Sequence, residues 1–486
     1  MPDPDPIYAA RRPGSIDARL RTRLRVAAVV LAALLAVAYA IRADAHGRLV
    51  NTDFQAYDQT AYYHFAEKIV KTGGAYLTDG ARGPAYPWLL APFVDPDAEE
   101  AAFFAFGKRL NIALSLAGLA VVGVILFRSL PWSSALGVFV AAAFTVYVFK
   151  AAYVQPELLY YTAFFAAFVQ LDRLLRSPSA WRAVAAGAVL GLAHLLKPSA
   201  LPMLAIYAVC AGVAALRRRH AGASDRPGPS RAAWLAPCLV VASFAGVVAP
   251  YAVANQRVFG DPLYNVNSTF YMWYDGWDEV VAGTKAHGDR RGWPDMPAED
   301  LPSLGRYLRE HDAGQIARRL ADGLVKIEAT ARTSYGWYRY VLAYGLLGLL
   351  AAIARGSRTW AAARTENDRP AWPRAAFAAA TFAAYLGLYA WFGPINYGPR
   401  FVLALFLPWL YVTASVAARS PLATWRWVAG GWWPRPSWNN LNPPRAEPRV
   451  TSWSLLDVVN ALFLVLLAGD VAAVLIERIV AMPAGA

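Results

Sequence analysis

The stretch RTRLRVAAVVLAALLAVAYAIR, residues 21–42, decides the fold. From Val26 to Ile41 no residue carries a charge. With Leu24, the run approaches the roughly 20 apolar residues that a hydrocarbon core of about 30 Å requires of a helix. Runs of this kind recur to the end of the chain, near 107–127, 133–151, 157–175, 181–197, 198–216, 233–254, 338–355, 374–393, 400–418 and 454–476, which with 24–42 makes about eleven expected spans. Composition agrees: of the 486 residues 57% are apolar and only 16% charged, where a soluble domain carries roughly 25% charged residues. Mean hydropathy is +0.31. The chain therefore reads as an all-α polytopic membrane protein. A soluble enzyme on a single anchor, a disordered chain and a disulfide-stapled module are excluded. The two cysteines, Cys210 and Cys238, both stand in apolar segments, which argues against a disulfide framework or a cysteine metal site.

Charge sets the expected orientation. The first span follows a tail bearing Arg11, Arg12, Arg19, Arg21, Arg23 and Arg25. The tail is too long for a removable signal peptide and lacks a convincing cleavage site, so the span reads as a retained signal anchor with a cytoplasmic N-terminus. Threading onward places 128–132, 173–182, 217–232, 355–373 and 419–452 inside. With the tail, these segments hold roughly 25 of the 47 Lys+Arg and about 8 of the 33 Asp+Glu, as orientation by cytoplasmic positive charge requires. The net charge of +14 is thus a topology signal in the inner (plasma) membrane of a cell, and nucleic acid is not an expected partner.

Two long loops fall outside, 43–106 and 255–337. Asp58 to Val70 reads as a short helix with Tyr62, Phe65, Ala66 and Ile69 on one face. Ile316, Leu320, Leu324 and Ile327 recur at helical spacing, with Arg318, Arg319, Asp322, Lys326 and Glu328 elsewhere on the wheel. That pattern suits an amphipathic helix on the membrane surface. Gly187 and Gly191 stand four apart, a close helix-packing signal. The Trp/Pro-rich 424–449 reads as mostly irregular. Asp457 and Asp470 in the last span suggest only packing inside the bundle.

The first loop carries NTDFQAYDQTAYYHFAEKI (51–69) and DGARGPAYPWLLAPF (79–93). An acid just after the first span, Tyr at +4, Ala at +8 and then Arg-x-Pro-x-Tyr-Pro resemble the GT-C glycosyltransferases, which include aminoarabinose transferases of lipid A and protein mannosyltransferases. The resemblance continues in Pro156-Glu157, in Gly191-Leu-Ala-His-Leu-Leu-Lys197-Pro198, in Asn255-Gln-Arg257-Val-Phe259-Gly260-Asp-Pro262, and in Tyr397-Gly-Pro-Arg400-Phe. It covers roughly 24–420. What it implies is a GT-C module over 1–420, followed by a cytoplasmic linker and final transmembrane helix over 421–486. It also implies sugar transfer, with inversion, from a polyprenyl phosphate donor to an extracytoplasmic glycan, lipid or protein acceptor, without a required cofactor.

Such a displacement needs a base for the acceptor hydroxyl and cations for the departing phosphate. The resemblance makes Asp58 the base, with Asp53 as the substitute candidate. The family commonly has Asp-Glu where this chain has Asp58-Gln59. Asp58 also stands where a helix N-cap belongs. Glu157 suits orientation of the acceptor, a cation site, or simply the positive end of a helix. A divalent cation shared by Asp58 and Glu157 is compatible with the sequence but not required by it. Lys197 and Arg400 are the preferred phosphate ligands, followed by Arg82 and Lys150, against a reading as snorkelling interfacial residues. Tyr62, Tyr86, His194 and Tyr397 stand in the same motifs and are expected to contact substrate, although His194 also suits a hydrogen-bonded intramembrane histidine. No spaced ligand cluster for a metal is evident. Tyr271, Trp273, Tyr274 and Trp277 suit either a stacked sugar or an aromatic belt. A transporter or flippase of lipid-linked sugars, and an O-antigen ligase or polymerase, are the competing readings. The first predicts repeats and midplane binding residues; the second predicts its large loop late in the chain.

Overall fold

The computed structural model describes residues 14–221, 231–334, 336–356, 372–423, 425–428, 431–434 and 453–478. Arg11 and Arg12 and the segments 222–230, 357–371 and 435–452, which carry much of the charge assigned to the inside, lie outside these residues. The described chain is nearly all helical. Helices α1 (Gly14–Leu49), α4 (Glu100–Ser129), α5 (Trp132–Lys150), α6 (Glu157–Arg176), α7 (Ala180–Leu196), α8 (Leu201–Ala221) and α9 (Arg231–Phe259) form the first part of the bundle. Helices α12 (Trp337–Gly356), α13 (Trp372–Phe392), α14 (Arg400–Ala418) and α15 (Leu455–Ile476) complete it. Between them, the first long loop holds α2 (Gln59–Lys71) and α3 (Ala85–Leu90), and the second holds α10 (Leu304–Glu310) and α11 (Ala313–Thr333).

Among the described residues nine helices are long and apolar enough to cross a membrane. This is a multi-pass membrane protein. The other two of the eleven expected spans, 181–197 and 198–216, meet α7 and α8, whose described apolar stretches, Ala180–Leu196 and Leu201–Arg217, are shorter. The 17 residues of α7 rise only about 25 Å. Lys197, extended, closes that helix, and Pro198 cannot continue it. Helices α5 and α6 are the most enclosed, with 94% and 83% of their most apolar windows buried. The periphery shows apolar side chains such as Leu34, Val37, Leu342 and Val465, as a lipid-facing surface must.

Small residues set a close crossing, as their spacing predicts. A Cβ on Gly187 would fall 2.3 Å from the Val240 carbonyl oxygen, and one on Gly191 would fall 2.9 Å from Val247 Cβ, so α7 and α9 approach backbone to backbone. Polar clips fix α15, which accounts for its two aspartates. Asp457 caps the helix through Ser454 and accepts from Ser133 Oγ at 3.0 Å, while Asn460 donates to Ser134 Oγ at 2.8 Å. Near the other end Asp470 accepts from Arg339 Nη2 at 2.9 Å and from the Tyr340 hydroxyl. The Trp-rich segment is not wholly irregular. Trp425–Val428 (β1) and Gly431–Pro434 (β2) pair antiparallel in a short hairpin.

Both long loops gather at one end of the bundle and join each other. Val266 N–H donates to the Gly80 carbonyl at 2.8 Å, and Asn265 Nδ2 to the Ala81 carbonyl at 2.8 Å. Beneath them Ala81, Phe259, Tyr264, Val266, Phe270 and Ile395 form a second, smaller core. The motif around Asn255 is therefore a joint. Asn255 Nδ2 donates to the Tyr264 carbonyl at 3.0 Å, and Phe259 stacks on Tyr264 at 4.0 Å.

The short helix α2 buries Tyr62, Phe65, Ala66 and Ile69, as its periodicity predicts. Helix α11 differs from its wheel. Arg319, expected on the polar side, is only 7% exposed, and Leu324 on the apolar side is 49% exposed. A Cβ on Gly323 would overlap the Ala390 carbonyl oxygen, so α11 packs against α13 along the line of Arg319 and Gly323.

Candidate active site

Asp58 stands in an unusual turn. Tyr57 and Asp58 both lie in the left-handed region, at φ 61° and 67°. Two successive non-glycine residues there cost about 1–3 kcal/mol each, a conformation kept only where surrounding contacts impose it. Asp58 occupies the N-cap position of α2, but its side chain makes no capping hydrogen bond. The capping reading is thereby corrected. The carboxylate instead accepts from Arg82 Nη2 at 2.9 Å through Oδ1 and from Arg400 Nη1 at 3.2 Å through Oδ2. Its side chain is 42% exposed, against 14% for Arg82 and 27% for Arg400. The bridge is thus reachable from outside the protein.

The turn is fastened from behind. Gln59, fully buried, exchanges two amide hydrogen bonds with Asn51, at 2.9 and 3.0 Å. Its Oε1 also accepts from Val154 N–H at 3.0 Å, and Nε2 donates to the carbonyls of Asp53 and Ala56 at 3.1 and 3.2 Å. Gln155 Nε2 donates to the Tyr57 carbonyl. Where the resemblance expected a second acid, this chain has an inward-facing structural amide.

Arg82 rides on a tight turn organised by Asp79, a residue the motif reading did not single out. Asp79 Oδ1 accepts from the N–H groups of Ala81 and Arg82 at 2.8 and 2.6 Å, and Oδ2 accepts from Arg82 Nη1 at 2.9 Å. Gly80 permits the turn at φ 73°, with Phe259 lying where a Cβ would go. An Asp-Gly pair is a turn signal in any sequence, but its pairing with the arginine emerges only in three dimensions. Burial works against the Arg82 charge, yet Asp79, Tyr62 and Asp58 outweigh it and hold the guanidinium above its ordinary value. For Asp58, burial alone would raise the carboxyl. The guanidiniums of Arg82 and Arg400 overcome that and hold it below the usual range.

Next to this bridge lies a second pair. Glu157, 4% exposed, opens α6 and faces Lys197 Nζ at 3.8 Å, while its Oε2 is buried without a hydrogen-bond partner. Lys197 Nζ lies over Phe401 at 5.0 Å and Tyr160 at 5.9 Å. Lys150, 5.3 Å from the centre of the Tyr153 ring, is an electrostatic neighbour of Glu157, Arg400 and Lys197. The Tyr161 hydroxyl donates to the Arg400 carbonyl at 2.8 Å and anchors that residue. Four cations (Arg82, Arg400, Lys197, Lys150) thus face three carboxylates (Asp58, Asp79, Glu157), leaving one net positive formal charge.

The other candidates divide. The Tyr62 ring lies under Arg82 at 5.7 Å and meets Tyr86 edge-on at 5.5 Å. Tyr86, fully buried, donates its hydroxyl to Asn111 Oδ1 at 2.9 Å. Tyr397 is 63% exposed, with Lys326 over its ring at 5.5 Å. Asp53 is not brought to the bridge: its Oδ1 accepts from Gln55 N–H at 2.8 Å in a local turn. His194 is packed against Phe244 and Tyr251, and its buried Nδ1 has no partner, so the hydrogen-bonded reading fails at that nitrogen. Of the second-loop aromatics, Tyr271 is buried, Trp273 packs on Trp391 and the Tyr274 hydroxyl accepts from Thr284 N–H, while Trp277 is 40% exposed.

Among the described residues no group of three or more His, Cys, Asp or Glu is placed to hold a metal ion. Asp58 and Glu157, the carboxylates considered for a cation, are each paired with protein cations. Comparison of the chain with protein-family models, curated proteins and solved structures returns no match.

Proposed function

We propose that this protein is a membrane glycosyltransferase of GT-C type, moving a sugar from a polyprenyl phosphate donor to an acceptor at the loop-bearing end, which we place outside the cell. The observation that carries the reading is the Asp58 carboxylate bridging Arg82 and Arg400. Arg82 uses two of its five donors' worth of contacts on carboxylates, and Arg400 makes one side-chain hydrogen bond. Each guanidinium has five N–H donors, so both keep capacity for a further anion. Helices at the bundle edge expose apolar faces on which an isoprenoid tail rests, and the bilayer supplies such a donor where bulk water does not.

Charge balance follows the reaction. A sugar phosphodiester carries one negative charge, equal and opposite to the net charge of the cluster. When the acceptor hydroxyl attacks the anomeric carbon, a new C–O bond forms on the face opposite the leaving group and the bond from that carbon to the phosphate oxygen breaks. The departing polyprenyl phosphate takes the bonding pair and becomes a dianion. Asp58 receives the hydroxyl proton, and its neutralisation leaves the cluster with two net positive charges to match. Before donor arrives, Arg82 and Arg400 hold Asp58 below its ordinary pKa and make it a weak base. Engaging the phosphate instead, they release it to become a stronger one. In this scheme Lys197 and Lys150 contribute to phosphate stabilisation, and Glu157 orients the acceptor or Lys197.

The test is transfer by purified protein in proteoliposomes, offered a panel of labelled polyprenyl phosphate sugars with cell-envelope acceptors. One donor class is expected to be consumed by wild type and not by Asp58→Asn. No consumption of any donor, equal consumption by the variant, or movement of intact donor across the bilayer without bond cleavage contradicts the proposal.

A further inference from the structure

Asp58 sits in a turn that its own sequence does not favour, and four buried amide side chains, Asn51, Gln59, Asn111 and Gln155, tie that turn to the segment after α5. The segment 151–156 after α5 is buried and irregular, so its backbone groups need partners that a helix would otherwise supply. Asn51 Nδ2 donates to the Ala152 carbonyl at 2.8 Å, Asn111 Nδ2 to the Tyr153 carbonyl, and Val154 N–H to Gln59 Oε1 at 3.0 Å. The same Gln59 fastens the carbonyls of Asp53 and Ala56, and Gln155 fastens that of Tyr57. This set of amides therefore registers two things at once: the left-handed pair Tyr57–Asp58, and the segment that runs from Lys150 to Glu157.

We propose that Gln59 and Gln155 are positioning residues that hold the Asp58 carboxylate against Arg82 and Arg400 and fix its distance from Glu157. The proposal rests on the reading of Asp58 as the base given above. Neither glutamine faces the bridge; each acts through the backbone that carries Asp58. The chemistry of position 59 requires an amide. Gln59 Nε2 meets only acceptors, namely Asn51 Oδ1 and two carbonyls, so a carboxylate there would oppose three oxygens with no proton to donate. Glutamate would preserve the size of the side chain and its acceptor half, and would remove only the donor half.

The expected result for Gln59→Glu and for Gln155→Ala is a loss of kcat of about tenfold to a hundredfold, the scale on which a small misplacement of a reacting group acts. KM for the donor stays within about twofold, since Arg82, Arg400 and Lys197 are untouched. Tyr57→Asn, which places a residue tolerant of the left-handed region at that position, recovers part of the lost kcat in the Gln155→Ala background. General loosening of the fold would not be corrected in this way. If Gln59→Glu does not accumulate as folded protein, Gln155→Ala and its Tyr57→Asn double variant carry the test. Unchanged kcat in Gln155→Ala, or a loss shared equally by kcat and thermal stability with no recovery by Tyr57→Asn, overturns the positioning role. Asp58→Asn measured alongside separates the two levels. If Asp58→Asn is inactive while the glutamine variants are normal, only positioning fails; if Asp58→Asn is active, the reading beneath it fails.

Discussion

Arg319 in the second loop and the pair Arg82 and Arg400 at the candidate site show two uses of the same side chain. Arg319 is 7% exposed and makes five hydrogen bonds. Its partners are the Trp391, Met272 and Tyr274 carbonyls, Asp275 Oδ1 and the Tyr307 hydroxyl, at 2.8 to 3.1 Å. Its ring neighbours Trp391 and Tyr307 lie 4.6 and 5.1 Å from Cζ. All five donors are used, so this arginine fastens α11 to the rest of the second loop and to α13 and has nothing left for a ligand. Arg400 makes a single side-chain hydrogen bond, to a carboxylate that is itself 42% exposed. A saturated arginine holds structure, whereas an unsaturated pair sharing one exposed carboxylate is prepared to exchange partners.

That contrast breaks in specified ways, beginning with the largest effect. Asp58→Asn removes the bridging charge and the proton acceptor together; turnover is expected to fall about a hundredfold or more, with only a small fall in the melting temperature in detergent as the two ion pairs are lost. Arg319→Ala does the reverse. It leaves several buried oxygens without a donor and is expected to lower stability by about 3 kcal/mol or more, read as a lower melting temperature and yield, while the folded fraction keeps its turnover. Arg82→Ala and Arg400→Ala should each lower kcat/KM for the donor about tenfold to a hundredfold. Of the two, Arg82→Ala perturbs folding more, because Asp79 loses its partner.

Two smaller effects are electrostatic. Since Arg82 and Arg400 outweigh burial at Asp58, the acid limb of kcat/KM should lie below the usual carboxylate range and move upward in Arg400→Ala. In stability, the depressed Asp58 pKa contributes above the unfolded-state value, and that contribution is lost as pH falls through the folded-state value. His311 has the opposite sign. Burial opposes its charge, but Asp275 at 2.8 Å and the Tyr307 carbonyl outweigh it, so its pKa is raised despite nearby Arg319. Its contribution is present below the unfolded value and fades as pH rises through the folded one. A slight fall in melting temperature with rising pH near neutrality, absent in His311→Gln, is expected.

The spans were legible because apolar length is a local property. Each expected run meets a helix, and the tight join between α7 and α8 falls where Lys197 and Pro198 end one helix before the other begins. Among the motif residues, the fold brings Asp58 and Arg400 together across 342 positions of chain. What local pattern misses is partnership. The wheel of α11 places Arg319 with the polar residues because its partners at 272–275, 307 and 391 do not appear in that window. Position 59 showed only an expected acid missing, since the amide's partners at Asn51 and Val154 are set by the fold. Asp79 looked like an ordinary turn residue because its bond to the Arg82 guanidinium depends on where that side chain is drawn.

The most direct measurement is equilibrium binding of a polyprenyl phosphate to the purified protein, followed by the phosphorus-31 shift of the headgroup in wild type, Arg82→Ala, Arg400→Ala and Arg319→Lys. The account predicts saturable binding that weakens at least tenfold in either of the first two variants and remains near wild type in folded Arg319→Lys. Binding that is insensitive to both Arg82 and Arg400, in protein that melts normally, would contradict it.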